Sequence, residues 1–170
     1  MEKTITPKKR LIPHFSKMYW LVIAFEFFER GSYYGMMSIL AVYLTTKLNF
    51  LEYQVGNVLG IIQPIVYFLP ILAGAVADKL GYKRMLICAF ALLGAGYLFV
   101  SQASDYTTMF CALAIMAVGA GIFKPIISGS IAKLTDESNS SIGFGIFYWS
   151  INLGAFLFPL ILVPFLKSIE

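Results

Sequence analysis

The feature that most limits what this chain can become is a series of five apolar stretches, separated only by short polar turns. They cover approximately residues 18–45, 53–77, 84–102, 106–132 and 141–166. A helix of about 20 apolar residues spans the roughly 30 Å hydrocarbon core of a bilayer, and no segment between the stretches is long enough for a soluble domain. Only 13% of the 170 residues are charged and 59% are hydrophobic, against about 25% charge in soluble domains. Such a chain cannot cover itself with polar surface in water. The sequence therefore specifies an all-α, multi-pass integral membrane protein of about five transmembrane helices.

Residues 1–17 are basic and polar and read as a leader, with residues 18–170 forming the membrane bundle. The leader is not a cleavable signal, because the apolar segment after it carries Glu26, Glu29 and Arg30, whereas a signal's core is uncharged. Basic residues fix an expected orientation. Lys3, Lys8, Lys9, Arg10, Lys17, Lys79, Lys83, Arg84 and Lys133 fall on one side of the membrane, and only Lys47 and Lys167 on the other. Positively charged loops stay inside, so the N-terminus is expected in the cytoplasm and Lys167-Ser168-Ile169-Glu170 outside. The net charge of +4 is explained by that asymmetry and by attraction to anionic lipid, and it implies no nucleic acid partner.

Other chemistries find little support in the residues. Cys88 and Cys111 form no C-x-x-C pair and are expected to be buried structural thiols. His14, the only histidine, sits in the leader beside aromatic residues, where an interfacial role is expected. No serine–histidine or metal-ligand constellation stands at membrane depth, so neither an enzyme nor a metal site is expected. The run Gly119-Ala120-Gly121-Ile122-Phe123-Lys124-Pro125 lacks the spacing and the following Ser/Thr of a phosphate-binding loop.

Four ionisable residues remain inside the spans: Glu26, Glu29, Arg30 and Lys124. Insertion scales put each charge at about 2.5–3.5 kcal/mol at the centre of a span. Such residues pair with one another or face a cavity, and two acids with two bases fit mutual pairing. At 100° per residue, Glu26, Glu29, Arg30, Tyr33 and Met37 share one arc of the first helix, with Tyr34 just beyond it. The opposite flank carries Gly31 and Gly35, a G-x-x-x-G pair suited to close packing. Gly56, Gly60, Gly119 and Gly121 read as further sites of tight packing. Pro64, Pro70, Pro125, Pro159 and Pro164 interrupt the second, fourth and fifth spans, which membrane helices tolerate where neighbours or a cavity satisfy the freed carbonyls.

These residues carry a resemblance. Glu26-Phe27-Phe28-Glu29-Arg30-Gly31-Ser32-Tyr33-Tyr34-Gly35 resembles the E-x-x-E-R…YYG signature on the first helix of the proton-dependent oligopeptide transporters. Phe147-Tyr148-Trp149-Ser150-Ile151-Asn152-Leu153-Gly154 resembles that family's F-Y-x-x-I-N-x-G signature, and Lys124 before Pro125 is similar to its helix-4 lysine. Between the second and third spans, Gly74 through Arg84 is similar to the major-facilitator loop G-x-x-x-D-[RK]-x-G-x-[RK]-[RK]. The four motifs run from Glu26 to Gly154 in the family's order. Members have twelve or more helices in two bundles, so the resemblance implies about five helices of an N-terminal six-helix bundle, with the C-terminal bundle absent from this sequence.

The resemblance further implies uptake of di- and tripeptides with protons across the cell (inner) membrane, with no cofactor beyond the coupling proton. It implies that Glu26 and Glu29 couple protons, Glu29 being the first choice. Arg30 and Lys124 suit the peptide carboxylate, and Asn152 can accept from its ammonium group. Tyr33, Tyr34 and Tyr67 offer walls for varied side chains. Gly74, Asp78, Gly81 and Arg84 read as a gating loop. A facilitator for another small anionic or zwitterionic solute, and a truncated membrane interaction protein without transport, remain the alternatives.

Overall fold

The computed structural model describes residues 14–168, and the side chains of residues 14–165. Residues 1–13 of the leader and Ile169-Glu170 lie outside the described residues. The remainder is five α-helices, each containing one apolar stretch: α1 (Lys17–Thr46), α2 (Glu52–Leu80), α3 (Tyr82–Gln102), α4 (Tyr106–Leu134) and α5 (Ser140–Ser168). Helices α2 to α5 are long and apolar enough to cross a membrane. Helix α1 has 30 residues but carries Glu26, Glu29 and Arg30 within its length.

The turns account for the helix boundaries. Ser16 caps α1 by accepting from the Tyr19 amide at 3.2 Å. Asn49 takes a left-handed φ of 55° between α1 and α2, a conformation asparagine tolerates. A single residue, Gly81 at φ 90°, ends α2 and opens α3. No side chain adopts that backbone readily, so a glycine there lets two spans meet without a loop. Asp105 caps α4 by accepting from the amides of Thr107 and Thr108, and the Thr108 hydroxyl and these amides hold its carboxyl below the usual carboxylate range.

Helix α4 is the axis of the bundle. Met109, Leu113, Met116, Ala117, Ala120, Phe123, Ile127 and Ile131 are fully enclosed. Helix α3 packs along one side of it and α2 along another, while α1 packs chiefly on α5. Large side chains such as Phe68, Ile71, Leu72, Ile87, Leu98, Phe156 and Ile161 are exposed on the outer faces, as expected where lipid is the solvent. Phe15, just before α1, packs into the bundle. It is 4% exposed, stacks on Tyr19 at 4.2 Å, and the Tyr19 hydroxyl donates to the Gly143 carbonyl at 2.9 Å. His14, beside it, is exposed.

Glycines set the distance between helices at some of the anticipated places. A methyl group at Gly154 of α5 would stand 2.6 Å from the Phe27 carbonyl oxygen of α1, and Phe158 and Leu162 lie against Gly31 and Gly35. Gly119 and Gly121 of α4 likewise meet Leu93 and Leu69. Gly56 and Gly60 do not belong with them, because nothing lies within 4 Å of where their side chains would begin. The cysteines also depart from expectation: Cys88 and Cys111 are both exposed. A thiol is apolar enough to sit on an outward face of a bundle whose solvent is hydrocarbon.

Substituting Gly154 by Ala should lower the thermal midpoint of the detergent-solubilised protein, equivalent to about 1–3 kcal/mol of overpacking strain. Gly60→Ala should be neutral or slightly stabilising, since it adds helix propensity without a clash. Equal effects at the two positions would contradict this packing.

Candidate functional site

The charged arc of α1 faces inward. Glu26, Glu29 and Arg30 are 2%, 6% and 4% exposed. The Arg30 Nε atom donates to Glu29 Oε2 and lies 3.6 Å from Glu26 Oε1. One guanidinium thus serves two carboxylates. Its Nη2, together with Glu26 Oε2 and Glu29 Oε1, has no hydrogen-bond partner among the described residues. The cluster is therefore paired but incompletely satisfied, which is costly at low dielectric.

Lys124 stands apart from this trio. It enters from α4 and is half-buried, and no carboxylate lies within 4.0 Å of it among the described residues. Its ammonium instead sits 4.5 Å from the centre of the Tyr67 ring on α2, a favourable cation–π position. The expected mutual pairing of two acids and two bases is thus only half realised. Lys124 balances the charge of the site without closing an ion pair.

Glu26, Arg30 and Lys124 border a cavity of about 250 Å³ formed by four helices. Glu26, Arg30, Tyr33 and Tyr34 line it from α1, Val66 and Tyr67 from α2, Lys124 and Ser128 from α4, and Phe147, Tyr148 and Ile151 from α5. The volume is below the roughly 300–1,000 Å³ of an enclosed ligand pocket. The Arg30 guanidinium lies 5.3 Å from the Tyr33 ring centre, and Tyr33 and Tyr34 meet edge to face at 5.5 Å. The cavity therefore combines two cations, one lining carboxylate and aromatic walls.

Two anticipated residues do not line it. Glu29 sits behind Arg30 and outside the cavity wall. Asn152 is exposed on α5, and its Nδ2 donates to the Tyr148 carbonyl at 2.8 Å on its own helix. The signature around Asn152 instead supplies Phe147, Tyr148 and Ile151 to the wall and Gly154 to the α1 contact. Spacing could have indicated Ser128, one helical turn beyond Lys124, and Tyr148 with Ile151 on one face of α5.

The α2–α3 turn lies away from the cavity. Gly74 is close to Pro125 of α4, and Asp78 and Arg84 are exposed. Tyr82, overlooked in the sequence, ties the turn to α4. Its hydroxyl donates to Asp78 Oδ1 at 3.2 Å, and the Lys133 ammonium sits 3.5 Å from its ring centre.

Five apolar helices, four of them around a charged, aromatic-walled cavity, define the class as a polytopic membrane protein. Comparison with known proteins narrows it. The Major Facilitator Superfamily model matches residues 20–166. Dipeptide and tripeptide permease A of Chromobacterium violaceum is 32% identical over 145 residues, covering 83% of this chain and 29% of the permease. The permease of the same name from Escherichia coli strain K12 is 31% identical over 156 residues, covering 89% of this chain and 31% of its own length. A solved structure from work on substrate recognition in proton dependent oligopeptide transporters superposes with a TM-score of 0.80 at 30% identity, covering 89% of this chain and 34% of that one.

The chain belongs to the major facilitator superfamily, and its resemblance there is to the N-terminal part of the peptide transporters. That family consists of transporters and not enzymes. The chain spans about a third of the length of the relatives it matches.

Arg30→Met would leave two buried carboxylates without their cation, an imbalance of about 3–5 kcal/mol. A large fall in the thermal midpoint is expected, partly restored when Glu29→Gln is added. An unchanged midpoint in the single variant would show that the cluster is not held by Arg30.

Proposed function

We propose that this chain is the N-terminal part of a proton-coupled symporter of di- and tripeptides, working by alternating access with a C-terminal bundle of the same protein. The observation that carries the reading is the pair of cations at the cavity: among the described residues, Arg30 Nη2 has no partner, and Lys124 is held by an aromatic ring and by no carboxylate within 4.0 Å. The names of the relatives support it, since they are peptide permeases. The basic asymmetry of the loops supports an N-terminus in the cytoplasm, and the cell (inner) membrane is the proposed residence of such a carrier.

A short peptide presents a carboxylate, an ammonium group and variable side chains, so a promiscuous carrier recognises the ends. Arg30 can grip the carboxylate through two parallel hydrogen bonds, and Lys124 adds a point charge. Tyr33, Tyr34 and Tyr67 supply amphipathic walls. Glu26, which lines the cavity, can meet the ammonium end, a role for which Asn152 is less well aimed in this conformation.

Proton coupling follows from competition for Arg30. While Glu29 and Glu26 are ionised they hold the guanidinium. A proton on Glu29 removes that attraction and frees the cation for the peptide carboxylate. Proton and peptide then favour the same rearranged cluster, and each ligand biases the helix bundles only by its differential affinity. Asp78 and Arg84, exposed at the α2–α3 turn with Gly74 and Gly81, are suited to gating contacts with the second bundle.

In the full-length protein, Glu29→Gln should abolish proton-driven uptake while sparing some peptide counterflow. Undiminished accumulation would rule Glu29 out as the coupling acid. Unlabelled dipeptides should compete for uptake, whereas nitrate and free amino acids should not. Competition by the latter alone would favour a facilitator for another small solute.

A further inference from the structure

Helix α3 lines no part of the cavity, yet one of its side chains approaches the ion cluster from behind. Phe25 of α1 and Phe90 of α3 meet edge to face, with ring centres 5.1 Å apart. Spans α1 and α3 are separated by one intervening crossing and so run in the same direction. Glu29 lies one helical turn beyond Phe25, and Tyr97 two turns beyond Phe90. Tyr97 lies nearly on the Phe90 face of α3, as Glu29 does on the Phe25 face of α1, and at about 1.5 Å per residue the two stand within about 5 Å of one another along the helix direction, less than a tyrosine's reach.

The Tyr97 hydroxyl is buried without a hydrogen-bond partner among the described residues, and so is Glu29 Oε1. The hydroxyl stands within electrostatic reach of Glu29, Arg30 and Tyr33. Arg30 cannot accept a hydrogen bond, so the carboxylate is the strongest acceptor within that reach. We infer that Tyr97 is a positioning residue for Glu29, its hydroxyl donating to Oε1 through one bridging water while Oε2 holds Arg30.

The remaining groups facing Glu29 are consistent with this assignment. Arg30 and Glu26 flank it on α1, and Lys124 approaches from α4. Helices α5 and α2 bring Tyr148 and Tyr67 to the cavity wall instead. Tyr33, one turn beyond Glu29 and with its own buried hydroxyl unpartnered among the described residues, stands on the cavity wall, so Tyr97 is the tyrosine donor on the closed side of the cluster. A hydrogen bond to an ionised carboxylate favours that form, so Tyr97 would favour the ionised Glu29 that pairs with Arg30.

The inference rests on the proton-coupled reading above, and its test separates the two. The full-length wild-type protein and Tyr97→Phe, which keeps the ring, are compared for proton-driven dipeptide uptake across external pH. Loss of the donor favours the protonated carboxyl from which uptake begins. The limb along which uptake falls with rising pH should therefore move upward by about half to one pH unit in the variant. Tyr97→Leu, a second variant without the hydroxyl, should shift the same way and serves if the phenylalanine protein does not accumulate. Superimposable limbs for wild type and variants would overturn the role of Tyr97 while leaving the proposed function intact. A wild-type protein with no proton-dependent peptide uptake would overturn the proposed function, and this inference with it.

Discussion

The structure depends on one guanidinium shared by two carboxylates at membrane depth. Arg30 makes Glu26 and Glu29 tolerable where each charge costs about 2.5–3.5 kcal/mol on insertion scales, and both acids are almost fully buried. An ion cluster of this kind adds little net stability, because desolvation offsets most of the attraction. It does give the bundle a set of partners that can be exchanged. Arg30 Nη2 and Glu26 Oε2, without partners among the described residues, keep hydrogen-bonding capacity in reserve, and Lys124 waits on the far wall against Tyr67.

The rest of the bundle holds that cluster in position. On one side of α1, glycines let α5 come close enough for Gly154 to meet the Phe27 carbonyl. On the other, Phe25, Phe90 and Phe123 form an edge-to-face series from α1 through α3 to α4. Helix α4 is enclosed along most of its length and therefore presents Lys124 from a fixed scaffold. The cavity opens where α1, α2, α4 and α5 converge, and the membrane-facing aromatic and aliphatic residues of α2, α3 and α5 surround it.

Much of this could be read from sequence because it is local to one helix. The placement of Glu26, Glu29, Arg30 and Tyr33 on one arc follows from helical periodicity alone, as does the separate glycine face. Features that depend on a neighbouring helix could not be read in the same way. Gly56 and Gly31 look alike as small residues on a span, yet only Gly31 has a helix against it. Cys88 and Cys111 were expected inside because thiols are usually buried in soluble proteins, but lipid removes the penalty for facing outward. Asn152 lies in a recognisable signature, but its side-chain direction is set by the Tyr148 carbonyl of its own helix. Tyr97 and Tyr82 take their significance from α1 and α4 partners that are distant in sequence.

Within one cluster the Glu29 carboxylate and a peptide carboxylate compete for the same cation, Arg30, and a proton on Glu29 releases it to the peptide. Full-length protein in sealed proteoliposomes, given labelled dipeptide and an inward proton gradient, tests it most directly. Accumulation above the equilibrium level, collapsing when a protonophore is added, is the expected result. Simple equilibration of the dipeptide, unaffected by either the gradient or the protonophore, would contradict it.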